Sequence, residues 1–324
     1  MRKILITSCL SATIQRCFMS RKFINNVVNH VYQRTRSGFN IFYEVEDYLV
    51  YYTIFSVLSV RYSISVYGLC LMIDHLHTLI SASSRSVFSS FMSNVTIQFV
   101  KEYNRHHLRS GPLFGNAFGW SPKSGLKLLR TAIAYLFNNP VERLLCRRAQ
   151  DYRWNFLAYA SSKNPFSEPL VLKKASRTLR CALREVDGTF TRNSHMTYVQ
   201  LRRLFAGLDN KEKNQLIDYI IVKYNVLQYD KLTAECYNGY DNMVLAINSN
   251  AGSEYDIPEC KFGYSDVEYR ELYKYVHKKG FKDAGEVISL PVESKFTLML
   301  EMLAETAASK IQICKYLHLQ VAPK

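Results

Sequence analysis

The first 160 residues switch repeatedly between strand-like and helix-like spacing of apolar positions. Residues 2–9, RKILITSC, form a short apolar run of strand length. Residues 22–33 and 46–61 repeat apolar side chains at helical spacing, although many of them are β-branched or aromatic and lose rotamer freedom in a helix. Residues 64–72 and 76–81 return to a β-rich composition, so the order reads strand, helix, strand, strand. That order suits an α+β unit in which helices back a small antiparallel sheet.

Two longer helices are predicted at 86–106 and 123–138, separated by a Gly- and Pro-rich loop at 110–122. Pro140 limits how far the second can run unbroken. The segment SSKNPFSEP at 161–169 marks the end of a first domain, residues 1–160; a basic linker or helix follows at 161–184, then a mostly helical accessory domain at 185–324. Within that last region Asp209 with Glu212, Ser265 with Glu268, and Ser309 with Gln312 have the spacing of helix-capping pairs. Lys278, Lys279 and Gly280 read as a helix stop, and the polar stretch 247–259 as a loop or inner linker.

Composition sharpens the picture. A chain of 324 residues with 48% hydrophobic and 13% aromatic residues can bury a sizeable core, which excludes the disordered and fibrous classes. The formal charge of +15 is concentrated: residues 101–184 hold sixteen Lys and Arg against four Asp and Glu, whereas 185–324 is slightly negative. A basic middle favours a polyanionic partner, nucleic acid before membrane. The apolar stretch 49–73 is interrupted by Arg61 and is too short on either side to span a bilayer. The opening MRKILITSCLSA has no convincing cleavage site, so a buried first strand is the stronger reading than a leader. Eight scattered cysteines with no CxxC spacing read as the reduced thiols of a cytoplasmic protein, without structural zinc.

Candidate chemistry lies in two places. In IDHLHTLI, His75 and His77 are two apart in a β-rich run, so both imidazoles leave one strand face and can hold one divalent metal while Leu76 turns into the core. Ordinary polar histidines on a strand face explain the same spacing. On the second helix Tyr135 and Asn139 are four apart and share a face, which puts an amide oxygen and a phenol side by side. Most of the 23 tyrosines are expected to be packing residues, and Tyr135 alone would be read that way.

Four blocks in order change that balance. CLMIDHLHTLI at 70–80, YNRHHLRSGPLF at 103–114, AYLFNNPVERLL at 134–145 and QDYRWNFLAYA at 150–160 resemble the IS200-like (Y1, HUH-type) transposases, particularly the REP-associated tyrosine transposases. The resemblance covers about residues 1–160. It implies a ferredoxin-like palm with a central antiparallel sheet, acting on single-stranded DNA near a hairpin. It further implies that His75 and His77 are metal ligands, Asn139 the third protein ligand and Tyr135 the nucleophile, with Mg²⁺ or Mn²⁺ as the ion. The resulting activity is a single-stranded DNA endonuclease and strand transferase working through a 5′-phosphotyrosine link. A free phenol has a pKa of about 10, so the nucleophile needs help from the metal or from a cation such as Lys127. The chain departs from the family at Ile73-Asp74, where Pro-Asn is usual, and at Glu142-Arg143-Leu144, where Arg-Ala-Gly is usual. By strand alternation Asp74 is expected to face away from the metal.

The DNA-binding candidates are basic. Lys101, Arg105, His106, His107 and Arg109 form one segment, and Arg143, Arg147, Arg148 and Arg153 a second. Lys173, Lys174, Arg177, Arg180 and Arg184 form a third at helical spacing; all are expected to meet phosphates rather than read bases. Tyr152 and Trp154 are either stacking surfaces or core residues closing the palm, the core being the stronger reading. Residues 298–319 spell a helix, short turn and second helix, a possible helix-turn-helix, for which a plain helical hairpin is the stronger reading. Two readings compete with the enzyme: a domesticated DNA-binding or regulatory protein with little turnover, and an RNA-binding or protein-interaction module. No membrane partner is expected, and both monomer and dimer remain open.

Overall fold

A computed structural model describes residues 22–115, 118–250 and 266–319. The strand expected at residues 2–9 and the cap at Ser265 lie outside the described residues. Four strands form one sheet: β1 (Asn29–Arg34), β2 (Ser65–Leu71), β3 (His75–Ser81) and β4 (Gly119–Pro122), with every pairing antiparallel. Helices α1 (Val45–Arg61), α2 (Arg85–His106) and α3 (Leu126–Glu142) are threaded between and after them. The spatial order β2-β3-β1-β4, with β1 between strands that follow it in sequence, is the ferredoxin-like arrangement.

Three expectations need correction. Residues 22–33 are not a helix, because β1 begins at Asn29 and alternates His30, Tyr32 and Arg34 on one face with Val31 and Gln33 on the other. The loop 110–122 contains β4, a short strand that pairs with β1 at the sheet edge, where its Gly and Pro are tolerated. The helix predicted at 123–138 starts later and runs through Pro140, which falls within its last turn.

The two sheet faces differ. Gln33 donates to Thr96 Oγ1 at 3.2 Å, which sets its face of β1 against α2. The opposite face carries His30, His75 and His77 and is covered by α3. A Cβ at Gly68 on β2 would lie 3.3 Å from Leu136 Cδ2, so the missing side chain lets α3 approach the sheet closely.

The second half is helical: α4 (Arg177–Thr191), α5 (Tyr198–Phe205), α6 (Asn210–Lys223), α7 (Tyr229–Leu232), α8 (Tyr240–Ser249), α9 (Glu268–Lys278), α10 (Ala284–Ile288), α11 (Val292–Glu305) and α12 (Lys310–Tyr316). A π-helical turn, Thr233–Tyr237, continues from α7. The Ser309 hydroxyl and Gln312 amide cap each other's backbone at the start of α12. Asp209 caps α6, but the Glu212 carboxylate turns outward to Ser176 at the start of α4. The chain leaves α9 through Gly280 at φ +97°, a left-handed turn that favours glycine.

These helices do not sit apart from the palm. Tyr52 donates to the Ile221 carbonyl at 2.9 Å, Tyr159 to Asp218 at 2.7 Å and Tyr229 to the Phe156 carbonyl at 2.6 Å. One hydrophobic core runs from Val28 just before β1 to Leu319 past α12. No helix among the described residues is long and apolar enough to cross a membrane.

Candidate active site

The site begins with strand alternation. His75 opens β3 and His77 follows on the same face, their rings edge to face with centroids 5.0 Å apart. Across the sheet Tyr32 pairs with His77 and Arg34 with His75, so β1 adds side chains to that face. The next residue on that face of β1, His30, reaches diagonally to His77: His30 Nε2 and His77 Nδ1 are 3.1 Å apart. Tyr135 comes down from α3 with its ring edge-on to both, 5.6 Å from His30 and 5.5 Å from His77. All four side chains are buried or nearly so. Asn139, one turn on, donates its Nδ2 to the Tyr135 carbonyl at 2.9 Å, which leaves its Oδ1 as the amide's acceptor.

Asp74 does not face away. It occupies the turn just before β3, where strand alternation does not apply, and its Oδ1 lies 2.5 Å from His75 Nδ1. A carboxylate accepts, so His75 carries a proton on Nδ1 and its Nε2 is turned away from Asp74. Burial works against the Asp74 charge, but His75, Lys315 and Arg143 outweigh it and hold this carboxyl well below the usual range. Asp266, also buried and facing Asp74, is pushed up to about 6. Burial, and then the neighbouring His75 and Arg34, hold His77 well below the ordinary histidine value, so it is neutral at neutral pH.

Among the described residues no group of three His, Cys, Asp or Glu side chains is arranged to hold a metal ion. A metal at this site would need His75 and His77 together with a donor of another kind, for which the Asn139 amide oxygen is the right type. Two neutral imidazoles and an amide oxygen fit Mn²⁺, and Mg²⁺ less closely.

With this geometry in hand, comparison is informative. Residues 24–128 match the IS200-like transposase family. That IS200-like segment contains β1, the loop to α1, and β3, hence His30, Asp74, His75 and His77; Tyr135 and Asn139 lie just past its end on α3. The solved structure of a REP-associated tyrosine transposase bound to a REP hairpin is similar over 48% of this chain and 95% of its own, at 13% identity and a TM-score of 0.38. No curated protein matches.

Around the IS200-like segment the basic candidates divide. Lys101 and Arg105 are exposed on α2, with Arg105 3.2 Å from Glu102. His106 and His107 are corrections. His107 is fully buried with Nε2 2.9 Å from Asp47 Oδ1, and His106 stacks on Tyr198 at 3.9 Å, burial lowering its pKa to about 4. Neither is presented to a phosphate. Arg109 is tied to Asn104 and the Pro112 carbonyl. Arg143 is half-buried and 3.9 Å from Asp266. Arg153 is likewise structural, bonded to Asn214 and 3.4 Å from Asp218.

Arg147 is exposed, and Arg148 is exposed but paired with Asp151. Lys127 is exposed on the first turn of α3, where with Arg130 and Thr131 it lines a cavity of about 820 Å³ against Tyr237 and α8. Lys173, Lys174, Arg177, Arg180 and Arg184 all point to solvent, the last three on α4.

Tyr152 donates to the Leu71 carbonyl, and Trp154 stacks on Tyr48 at 4.3 Å, so both close the palm as core residues. Helices α11 and α12 form a hairpin; the buried Gln312 side chain reaches Glu268 at 3.2 Å, and His318 Nε2 lies 2.8 Å from the Asn40 carbonyl. That end of the hairpin is docked on the palm rather than presented as a reading helix.

His30 is the residue that sequence reasoning missed. Its signal was the alternation NHVYQR, in which a third histidine shares a strand face with an arginine.

Proposed function

We propose that this protein is a metal-dependent single-stranded DNA endonuclease and strand transferase, acting near hairpins in the cytoplasm. The observation that carries the reading is the meeting of Tyr135 with the ring of His77, on the sheet face that also holds His75. In this reading the palm carries the chemistry, and residues 161–184 and 185–324 are the basic and accessory regions.

His75, His77 and Asn139 hold the metal, and the Asp74 carboxylate keeps the proton of His75 on Nδ1. When bound, Mg²⁺ or Mn²⁺ neutralises charge on a non-bridging oxygen of the scissile phosphate. The phenol oxygen of Tyr135 attacks phosphorus in line as its proton departs. The bond from phosphorus to the 3′ oxygen breaks, giving a 5′-phosphotyrosine and a free 3′-hydroxyl. Attack by another 3′-hydroxyl reverses the step and rejoins strands, because the covalent link conserves the phosphodiester. Lys127 and the α4 cations meet backbone phosphates and set position rather than sequence.

The test incubates the full chain with Mg²⁺ or Mn²⁺ and a labelled pool of single-stranded hairpins carrying random flanks. A denaturation-resistant adduct mapped to Tyr135, dependent on metal and absent in Tyr135→Phe, is the expected result. Hairpin binding without adduct or cleavage under either metal would sink the catalytic reading in favour of a DNA-binding protein.

A further inference from the structure

A metal ligand with two ring nitrogens needs something to decide which one carries the proton. For His75 that is Asp74, whose carboxylate holds Nδ1 at 2.5 Å and so turns Nε2 the other way. For His77 the group at Nδ1 is His30 Nε2, 3.1 Å away. The two ligand rings are thus gripped at the same atom by partners from different segments, the turn before β3 and the neighbouring strand β1.

The setting restricts what can do this job at position 30. His77 and His30 are 0% and 1% exposed. A carboxylate there would be a buried charge, whereas a neutral imidazole accepts a hydrogen bond without one. The register brings it within reach: His30 pairs with Leu79, two residues beyond His77, so the contact is a diagonal across the β1–β3 ladder. The rings lie nearly parallel, 16° apart, and His30 also meets the Tyr135 ring edge-on at 80°. One side chain therefore touches both a ligand ring and the nucleophile.

We infer that His30 is a positioning residue: its Nε2 accepts the Nδ1–H of His77, which presents His77 Nε2 beside His75 Nε2, and its ring holds that of Tyr135. The inference rests on the proposed metal-binding role of His75 and His77. The opposite tautomer would put the His77 proton on Nε2 and remove the lone pair that a ligand needs. Removing the outer partner of a metal-bound histidine typically costs about 10–100-fold in metal affinity.

The experiment pairs two readouts on the full chain. Long-range ¹H–¹⁵N spectra of the metal-free protein give the tautomer of His77, and calorimetry with Mn²⁺ compares wild type, His30→Leu, His30→Gln and the His75→Ala/His77→Ala double variant. The expected results are a proton on His77 Nδ1, a His30→Leu protein that melts like wild type but binds Mn²⁺ about 10–100-fold more weakly, and substantial recovery in His30→Gln, whose Oε1 reaches the same place. A proton on His77 Nε2, or wild-type Mn²⁺ affinity in a folded His30→Leu protein, overturns the role of His30. Should His30→Leu fail to fold, the wild-type spectrum and His30→Gln still decide. Mn²⁺ binding that survives the double variant instead overturns the metal reading of the site, while the tautomer continues to judge His30.

Discussion

Replacing Asp47 by asparagine probes the contact that ties the palm to the helical half. The Asp47 carboxylate, fully buried at the start of α1, accepts four hydrogen bonds: Oδ1 from His107 at 2.9 Å and Tyr198 at 2.8 Å, Oδ2 from the backbone N–H of Tyr43 at 2.8 Å and Glu44 at 2.9 Å. Asparagine keeps one acceptor oxygen and substitutes an NH₂ for the other. Turned one way, its NH₂ faces the backbone donors of Tyr43 and Glu44; turned the other, it faces His107 and Tyr198, which can accept from it only by giving up their hydrogen bonds to a charged oxygen. At about 1.5–3 kcal/mol for each hydrogen bond to a charged group, the loss is about 3–5 kcal/mol, in the range for breaking a buried ion pair from one side.

In a melting experiment at pH 7 this corresponds to a fall in Tm of about 4–8 °C for a chain of this length. The pH dependence carries a sign. Burial opposes the charge on Asp47, but His107 and the hydrogen bonds from His107, Glu44 and Tyr198 outweigh it and lower the folded pKa. The stabilisation is therefore present above the unfolded value of about 3.9 and is lost as pH falls through the folded one. The gap between wild type and Asp47→Asn should narrow below about pH 4. A variant within 1 kcal/mol of wild type at pH 7 on the scale of about 3–5 kcal/mol worked above, or a gap that widens on acidification, would refute the reasoning.

Four further outcomes are expected. Asp74→Leu removes the acceptor at His75 Nδ1 and weakens Mn²⁺ binding about 10–100-fold by calorimetry, while Asp74→Asn, which keeps an oxygen, is affected less; equal affinities would contradict the orienting role. Glu44 is raised to about 8 by burial and by Asp47, against about 4.3 when unfolded, so it removes stability as pH rises through that window; Glu44→Gln should flatten denaturation midpoints between pH 5 and 8.5. Neutralising Lys173, Lys174, Arg177, Arg180 and Arg184 together should weaken binding evenly across single-stranded sequences and reduce the salt slope by about 0.7 for each DNA phosphate that the protein no longer neutralises, and an unchanged slope would remove this surface from the DNA path. A chain covering only residues 22–160 should show no cooperative melt, because it exposes the core face of α1 and takes from Tyr52, Tyr159 and Asn138 the acceptors Ile221, Asp218 and Ile247; a sharp transition by circular dichroism would contradict this.

The legible parts of the fold were those where local pattern and tertiary environment agree. Strand β2 lies within its predicted segment, and β3 and α2 each start one residue early. Helix α1 was legible in extent but not in reason. Its many aromatic and β-branched residues argue against a helix by propensity, and they are there because α1 is enclosed by the sheet, by α2 and by α5 and α6. Strand β1 was misread because Phe23, Ile24, Val27, Val28 and Val31 repeat at helical intervals across a boundary that no Gly or Pro marks. That error hid His30, Tyr32 and Arg34, since side chains on a supposed helix cannot be assigned to a sheet face. His107 was read as a phosphate contact because nothing local reveals a partner 60 residues away in Asp47.

The same long-range logic bears on the site itself. Burial opposes the charge on Asp74, and beyond His75 itself three groups from other elements bear on it: Lys315 from α12 and Arg143 from the end of α3, which sustain that charge, and Asp266 from the turn before α9, which Asp74 pushes up. Two of these three groups come from the second half of the chain. Lys315 reaches the palm because α12 is fastened there: its carbonyl accepts from Asn40 N–H, and the Tyr316 carbonyl accepts from Tyr43 at 2.7 Å. The two buried carboxyls titrate in opposite directions: burial and the neighbouring Asp74 push Asp266 up to about 6, whereas the contact with His75, then Lys315 and Arg143, outweigh burial at Asp74 and keep it charged. The charge on Asp74 is therefore a property of the whole chain, although the IS200-like match ends at residue 128. The helical half completes the charge environment of the Asp74 carboxylate that grips His75.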